Sequence, residues 1–311
     1  MEDFGIIVAT YQGDYSFAKG CCASVRYFLG DVPICLIVDG TFSTSSLEKA
    51  YAVRIINHNT VTNKFLREKS FGWGKTKMIA FWESPWQNFL VLDADTSVWG
   101  NILKYRDFSS FDVIIDKPRY GYTDNSVSEF FFEVKEIEQY FPSFNWKIHQ
   151  NDYFCTGTFF SKRNIFPLEE YMEILDFTEM HPGVFKYGEM GFLNFMLFRA
   201  ADEGRIRLGK AAMQLIVPDF EREELRDRFP VTKSAPVVQN EEAIVIHWCG
   251  KKPFLSRSQV FSSPMNFFRR KFVQDAWHQS GLTADLLLQV EDFNMYKKKL
   301  QRRLLSGLST S

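Results

Sequence analysis

The sequence predicts an α/β fold with a mostly parallel central sheet, flanking helices and a C-terminal helical extension. Through the first half of the chain, short apolar runs alternate with segments of helical period, which is the pattern of parallel strands joined by crossover helices. After Lys251 the composition becomes basic, since residues 251–311 hold eleven Lys or Arg against four Asp or Glu. The first observation predicts the sheet, and the second predicts the extension.

Apolar runs indicate the strands, and apolar residues at helical spacing indicate the helices. The predicted strands are Phe4–Thr10, Pro33–Asp39, Val53–Asn57, Asn88–Leu92, Phe111–Asp116, Tyr153–Ser161, Gln214–Val217 and Ala243–Trp248. The predicted helices are Tyr15–Leu29, Ser46–Ala52, Lys75–Glu83, Leu168–Met180 and Gly188–Ala201, followed by two amphipathic helices in the basic extension. We therefore divide the chain into a first domain, residues 1–250, and an extension, residues 251–311.

The composition argues against several classes of protein. A formal net charge of −1 gives no overall basic field, so nucleic acid is not an expected partner. The five cysteines show no CxxC spacing, which argues against a zinc site and against a disulfide framework. The acidic N-terminal stretch lacks the basic start of a signal peptide, and no apolar run approaches ~18 residues. We therefore expect a cytoplasmic protein with reduced thiols.

A pair of carboxylates follows the fourth predicted strand. Asp93 and Asp95 come after four consecutive apolar residues, at the carboxyl end of the strand, where open α/β sheets bind their ligands. Thr10, Tyr11 and Asp39 come at the ends of other predicted strands and fall on the same edge. Carboxylates beside a buried strand are costly without a cationic partner, so this edge is a candidate metal and ligand site.

Three kinds of protein compete for a strand that ends in D-x-D. A dinucleotide-binding fold requires G-x-G-x-x-G after the first strand, and ATYQGDYSFAKG does not provide it. A phosphatase of the haloacid dehalogenase type usually opens on its nucleophile strand, whereas here three predicted strands come first. The third kind is a nucleotide-sugar glycosyltransferase, in which the acidic pair holds a divalent ion on the donor diphosphate.

Several motifs, in order, resemble those of glycosyltransferase family eight, whose members include glycogenin and bacterial lipooligosaccharide galactosyltransferases. The motifs are VATYQGDYSFAKGCCASVR, GKTKMIAFW, FLVLDADTSV, DYFCTGTFF, GEMGFLN and VIHWCGKKPF. They extend from Phe4 to Phe254, and their order is more specific than any one of them. The resemblance implies the GT-A fold, the nucleotide-diphospho-sugar transferase fold, with residues 1–250 as its catalytic domain.

The resemblance also implies roles for residues that take the places of the family's motif residues. Thr10 and Tyr11 would line the nucleotide, and Asp39, at the neighbouring strand end, is assigned to the same donor site. Lys77 would contact the donor, with Lys75 as the alternative. The residues that would hold the phosphates are Gly250 and one of Lys251 and Lys252.

The metal site implied by the resemblance consists of Asp93 and Asp95. His247 directly follows a predicted buried strand and would add an imidazole to these carboxylates. Mg²⁺ prefers oxygen ligands, whereas Mn²⁺ accepts imidazole more readily. We therefore expect Mn²⁺, with Mg²⁺ as the alternative.

The sequence departs from the family pattern at three motif positions. Cys155 stands where the family has Asn, and Glu189 and Met190 stand where it has Asp and Gln. The resemblance implies transfer of a hexose from a nucleotide diphosphate, most simply UDP, to an acceptor hydroxyl with retention of configuration. Because Met190 cannot act as Gln does, Glu189 becomes the candidate catalytic group together with Lys77. Two alternatives stay open, an inverting transferase with Glu189 as base and a nucleotide-sugar-binding pseudoenzyme.

The expected partners are a nucleotide sugar and a carbohydrate or glycolipid acceptor. The extension combines Phe and Leu with clustered Lys and Arg, in MNFFRRKFVQDAW and YKKKLQRRLL. This composition is typical of helices that lie on anionic membrane surfaces, so peripheral membrane contact is one expectation. An ordinary helical cap on the catalytic domain is the other.

Overall fold

The computed structural model describes residues 3–72, 74–250, 252–255 and 260–308, with side chains described as far as residue 297. Its strands are β1 (Phe4–Tyr11), β2 (Ile34–Asp39), β3 (Arg54–Asn57), β4 (Asn88–Asp93), β5 (Thr96–Trp99), β6 (Val113–Asp116), β7 (Thr158–Lys162), β8 (Leu208–Ala211), β9 (Gln214–Ile216) and β10 (Ile244–His247). Its α-helices are α1 (Tyr15–Leu29), α2 (Ser45–Tyr51), α3 (Lys64–Lys69), α4 (Ala80–Glu83), α5 (Asp124–Phe130), α6 (Val134–Tyr140), α7 (Leu168–Met180), α8 (Glu189–Asp202), α9 (Arg222–Arg228), α10 (Ser263–Trp277) and α11 (Gly281–Leu308).

The main sheet has seven strands in the order β3-β2-β1-β4-β7-β6-β8. β1 pairs in parallel with β2 and β4, β2 with β3, and β6 with β8, whereas β7 runs antiparallel to β4 and β6. Helices cross over between the parallel strands β1, β2 and β3, as parallel pairing requires. The carboxyl ends of β1, β2 and β4 therefore meet at one edge of the sheet.

A second sheet of three strands, in the order β5-β10-β9, completes that edge. β5 begins at Thr96, directly after the acidic pair, and pairs antiparallel with β10, so that His247 lies opposite Thr96. β9 pairs in parallel with the other side of β10 and places Ile216 opposite His247. The small sheet thus brings residues that are about 150 positions apart along the chain next to Asp93 and Asp95.

The two C-terminal helices pack against the body of the protein. α10 lies along α1, and Gly20 permits this close approach, because a Cβ added there would lie 2.5 Å from Met265 Sδ and 2.9 Å from Arg269 Cγ. α11 packs on α10 through the buried side chains of Ala284 and Leu288. Among the described residues, no helix combines the length and the apolar content that crossing a bilayer requires.

Most predicted elements are confirmed within one or two residues, and the predicted bounds of α1 and α7 match. The predicted strand Tyr153–Ser161 is wrong in its first half, because β7 begins only at Thr158. The Asn194 side chain hydrogen-bonds both the N–H and the C=O of Phe154, so this backbone needs no strand partner. The predicted helix Lys75–Glu83 begins as a 3₁₀ helix and becomes α-helical only in α4. Several elements were not predicted, namely β5, β8, α3, α5, α6 and α9.

Candidate active site

Lys77 lies at the centre of a buried ion-pair group at the end of β4. Its ammonium is 2.5 Å from Asp93 Oδ1 and 2.8 Å from Glu189 Oε1, and it donates a hydrogen bond to the Thr156 carbonyl at 3.0 Å. The Thr156 hydroxyl donates to the same Glu189 oxygen at 2.8 Å. Gly74 approaches Glu189 so closely that a Cβ there would overlap its carboxylate. Glu189, the first residue of α8, is therefore fixed beside the acidic pair.

Asp95, His247 and Lys252 form the adjoining group. His247 Nε2 lies 3.5 Å from Asp95 Oδ1 and 3.8 Å from Asp93 Oδ2, so the imidazole faces both carboxylates. The Lys252 ammonium forms an ion pair with Asp95 Oδ2. We call Lys77, Asp93, Asp95, Glu189, His247 and Lys252 together the site cluster.

Gln214 fixes the orientation of the His247 ring. Its amide N–H donates to the Cys155 carbonyl at 2.8 Å, which leaves its Oε1, 3.1 Å from His247 Nδ1, to accept from the ring. The Nδ1–H of His247 therefore points to Gln214, and Nε2 faces the carboxylates. Gly157 leaves room for this arrangement, because a Cβ there would overlap the imidazole.

The geometry fits a divalent metal ion. Ligand atoms from Asp93, Asp95 and His247 all lie within 4.8 Å of one another. Ligands on one ion with bonds of roughly 2.1 Å lie at most about 4.2 Å apart, so small side-chain movements would bring three donors onto one ion. Two carboxylates and one imidazole suit Mn²⁺, and Mg²⁺ less well.

The charges of this site shift its pKa values. Burial alone would raise the pKa of Asp95, but Lys252 and His247 outweigh burial and lower that pKa below its ordinary value. Burial would lower the pKa of Lys77, yet Asp93 and Glu189 raise it. Burial raises the pKa of Glu189, and Lys77 opposes that shift. Asp95 and Lys77 are therefore held in their charged forms by neighbours of opposite sign.

Thr10 and Tyr11 lie at the carboxyl end of β1 and are organised by Asp14. The Thr10 hydroxyl donates to Asp14 Oδ1 at 2.7 Å, and the Tyr11 backbone N–H donates to the same oxygen at 2.9 Å. Burial raises the pKa of Asp14 to about 7. Asp39 is the register neighbour of Tyr11 across the β1–β2 ladder. Tyr11 is 41% exposed and packs over Gly13, so this corner is open to a ligand.

The structure brings most of the predicted site residues to one edge. The six residues of the site cluster meet directly, and Thr10, Tyr11 and Asp39 lie at the neighbouring strand ends. Gly250 has a positive φ of 77°, the left-handed conformation that glycine adopts most easily. Lys251 lies outside the described residues, so of the two lysines predicted to hold phosphate only Lys252 is described.

Sequence reasoning missed three residues of this edge. Asp14 and Gln214 orient predicted site residues, and Thr156 hydrogen-bonds Glu189. Gln214 begins a short strand, and no motif around it marks its contact with His247. Asp14 offered a weak signal, since it lies three residues after Tyr11 in the loop that follows β1.

Two departures from the family pattern have visible consequences. Cys155 directs its Sγ to His247 Nδ1 at 3.6 Å, so the thiol lies beside the imidazole. Met190 packs against the hydrophobic core, and its carbonyl accepts from Asn194 at 2.8 Å. Glu189 is therefore the residue at the start of α8 that brings charge to the site cluster.

Solved glycosyltransferase structures are similar to this chain. No protein-family model and no curated protein sequence matches it. The galactosyltransferase LgtC, solved in complex with donor and acceptor sugar analogs, has a TM-score of 0.53 at 14% identity, covering 89% of this chain and 97% of LgtC. The bifunctional glycosyltransferase WbbM has a TM-score of 0.54 at 12% identity, covering 88% of this chain and 51% of WbbM. GlyE of Streptococcus pneumoniae TIGR4 has a TM-score of 0.53 at 12% identity, covering 92% of this chain and 63% of GlyE.

The class that these observations define is that of the GT-A fold. This chain shows the features of that fold, namely the central sheet, the small second sheet and the acidic pair at the carboxyl edge. At 12–14% identity the similarity establishes the fold, and the chemistry has to be argued from the site.

Proposed function

We propose that the protein is a metal-dependent glycosyltransferase that transfers the hexose of a UDP-hexose donor to an acceptor hydroxyl. The observation that carries the proposal is the convergence of Asp93, Asp95 and His247 at the carboxyl edge, with Lys77 and Lys252 on either side. An acidic pair flanked by lysines suits a ligand that combines a cation with phosphate groups. A nucleotide diphosphate with its metal ion is such a ligand.

In this proposal Asp93, Asp95 and His247 hold the metal ion, with Mn²⁺ preferred over Mg²⁺. When bound, the ion would act as a Lewis acid that neutralises charge on the diphosphate. Lys252 pairs with Asp95, and we propose that it turns to the phosphate oxygens when the donor binds. Lys251 is the alternative phosphate-binding residue from the sequence.

The remaining donor contacts are assigned to the strand ends. Thr10, Tyr11 and Asp39 would bind the nucleoside, since their strands end beside β4. Gly250 would allow the backbone after β10 to turn toward the phosphates. Lys77 keeps a positive charge against Asp93, where it stabilises negative charge that develops on the leaving diphosphate.

Glu189 is the proposed catalytic carboxylate, in a reaction that retains configuration. The Lys77 ammonium pairs with both the Glu189 and the Asp93 carboxylates. Glu189 is therefore held beside the proposed metal ligands, at the start of α8. A charged Glu189 can stabilise an oxocarbenium-like centre or form a covalent intermediate. The same position would allow it to act as a base toward the acceptor, which is the inverting alternative.

Glu189→Gln tests this role because it keeps the shape and removes the charge. We expect near-normal donor affinity and a turnover lower by roughly 10²-fold, the scale of one acid–base group. The exposed Glu224→Gln variant is the matched control and should keep wild-type turnover. Wild-type turnover in Glu189→Gln would remove this residue from the mechanism, and NMR of the product anomer separates retention from inversion.

The alternative of a pseudoenzyme rests on the replaced motif positions Cys155 and Met190. A mass-shift screen against nucleotide sugars identifies the donor, and transfer to a panel of carbohydrate and glycolipid acceptors then tests catalysis. Transfer of the hexose to any acceptor supports the enzyme. Donor binding without transfer across the panel favours the pseudoenzyme.

We also propose that the protein contacts an anionic membrane from the cytoplasmic side, where a glycolipid acceptor would lie. α11 exposes an apolar stripe opposite its buried face. The stripe consists of Leu282, Leu286, Val290, Phe293 and Tyr296, all more than half exposed. All five cysteines are free thiols, which suits a reducing compartment. Liposome flotation tests the contact, and equal recovery with neutral and anionic lipid would reject it.

A further inference from the structure

A second group of buried charges joins α1 to the two C-terminal helices. Arg269 is fully buried, and its guanidinium donates to Ser16 Oγ at 2.6 Å and to Asp292 Oδ1 at 2.6 Å. Glu291 forms an ion pair with Lys19 and accepts from the Ser16 hydroxyl at 2.6 Å. We call Ser16, Lys19, Arg269, Glu291 and Asp292 the helix cluster.

Asp292 extends this cluster to the segment that follows β10. One of its oxygens binds Arg269, and the other accepts a hydrogen bond from the Leu255 backbone N–H at 2.8 Å. Its side chain is only 10% exposed, so neither bond competes freely with water. Asp292 therefore ties α11 to a backbone position three residues beyond Lys252.

The described residues on the two sides of position 251, 247–250 and 252–255, are each anchored to other parts of the protein. In the first stretch, the Trp248 backbone N–H donates to the Asp95 carbonyl at 3.1 Å. In the second stretch, the Phe254 ring packs on Phe17 of α1 with ring centroids 5.6 Å apart. The hydrogen bond from Leu255 to Asp292 ties the second stretch to α11. Lys252, which forms the ion pair with Asp95, lies between these anchors.

We propose that Asp292 is a positioning residue for the donor site, and that α11 is a working part of the catalytic unit. This inference rests on the proposed function, since it assigns Lys252 to the donor diphosphate. Holding Leu255 reduces the conformations open to the Lys252 backbone before the donor arrives. A fixed lysine loses less conformational freedom on binding phosphate than a mobile one does. Release of Leu255 should therefore weaken donor binding without touching any donor-contacting group.

The test compares UDP binding in the presence of Mn²⁺ by calorimetry. In Asp292→Asn an amide cannot accept from both Arg269 and Leu255, so we expect the Kd for UDP to rise roughly 10-fold, the scale of one lost hydrogen bond to a charged group. Glu291→Gln is the matched control, because it weakens the same helix cluster without touching Leu255. The control should keep the wild-type Kd, and an equal rise in both variants would overturn the proposal.

A double-mutant cycle shows whether Asp292 acts through Lys252. If it does, Asp292→Asn should change the Kd by less than about twofold in a Lys252→Met background. A full additional 10-fold rise there would mean that Asp292 affects the donor site by another route and would contradict the proposal. Asp292→Glu provides a variant that keeps the charge opposite Arg269 but moves the carboxylate by one methylene, and it should also weaken UDP binding.

Amide hydrogen exchange tests the anchor independently of nucleotide binding. In the wild type, the Leu255 N–H should be protected, and the protection should fall in Asp292→Glu while that of α1 is unchanged. Rapid exchange at Leu255 in the wild type would overturn the inference. If the wild type fails to bind UDP with Mn²⁺ while the exchange result holds, the proposed function fails and the anchor stands.

Discussion

The site cluster and the helix cluster are both buried groups of charge, but they are composed differently. The helix cluster sets the two cations Lys19 and Arg269 against the two anions Glu291 and Asp292. The site cluster sets three carboxylates against two lysines and leaves one imidazole beside the acidic pair.

The two clusters also differ in exposure. In the helix cluster Arg269 is completely inaccessible and the most exposed charged member, Glu291, is 23% exposed, whereas Lys252 of the site cluster is 32% exposed. A closed group with matched charges stabilises the arrangement of helices. An open group can exchange a lysine for an incoming cation, which is what a metal–diphosphate site requires.

The largest expected effect is at Asp95. Asp95→Ala removes one metal ligand and the partner of Lys252, so Mn²⁺-dependent UDP binding should fall below detection while the circular dichroism spectrum is unchanged. Asp227→Ala, at an exposed position, is the control and should bind as the wild type does. Unchanged binding in Asp95→Ala would show that the metal site lies elsewhere.

The next effect concerns stability and should be larger in the helix cluster than in the site cluster. Arg269→Met leaves buried carboxylates without their partner, so the free energy of unfolding should fall by about 3–5 kcal/mol. Lys252→Met removes a partly exposed lysine, and Asp95 keeps its second cationic neighbour, His247, so the loss should be smaller than in Arg269→Met. Urea denaturation measures both, and equal losses would remove the distinction between the clusters.

A smaller effect is expected at Gln214. Gln214→Leu removes the acceptor that holds the His247 Nδ1–H, so Mn²⁺ affinity should fall by about 10-fold to 100-fold, as for other residues that orient metal-binding histidines. Gln239→Leu, at an exposed position, is the control. Mn²⁺ affinity equal to that of the wild type in Gln214→Leu would mean that His247 needs no orientation or binds no metal.

The smallest effect is a dependence of stability on pH at Glu291. Burial alone would raise the pKa of Glu291, but Lys19 and Ser16 lower it below its ordinary value. A lowered folded-state pKa stabilises the fold above the unfolded value of about 4.3 and ceases to do so as pH falls through the folded value. Glu291→Gln should therefore lose about 1 kcal/mol at pH 7. The difference from the wild type should shrink below about pH 4, and a constant difference in thermal unfolding scans would contradict this.

The sequence was sufficient for much of the main sheet and for the acidic pair, because apolar runs and a D-x-D at a strand end are local signals. It located β9 and β10 but not β5, and it could not give the pairing within the small sheet, since β5 and β10 lie about 150 positions apart. The contact of Gln214 with His247 depends on that pairing and carried no local signal. The same holds for the bond between Leu255 and Asp292, which lie on separate elements.

Phe154 shows why the predicted strand Tyr153–Ser161 was partly wrong. Its apolar neighbours satisfy the strand pattern, but the Asn194 side chain takes both of its backbone hydrogen bonds. The residues that follow turn into the site, where the Thr156 carbonyl accepts from Lys77. A segment whose backbone groups hydrogen-bond to site residues can have the same apolar sequence pattern as a β-strand. Only its tertiary contacts distinguish it from a strand.

The central claim is that the site cluster binds a nucleotide diphosphate through a divalent cation. Titration of the wild-type protein with UDP by calorimetry, in EDTA and then in excess Mn²⁺, tests it most directly. We predict no measurable binding in EDTA and saturable 1:1 binding in Mn²⁺, with Mg²⁺ giving weaker binding. UDP binding of equal affinity with and without the metal ion, or no binding in either condition, would contradict the account.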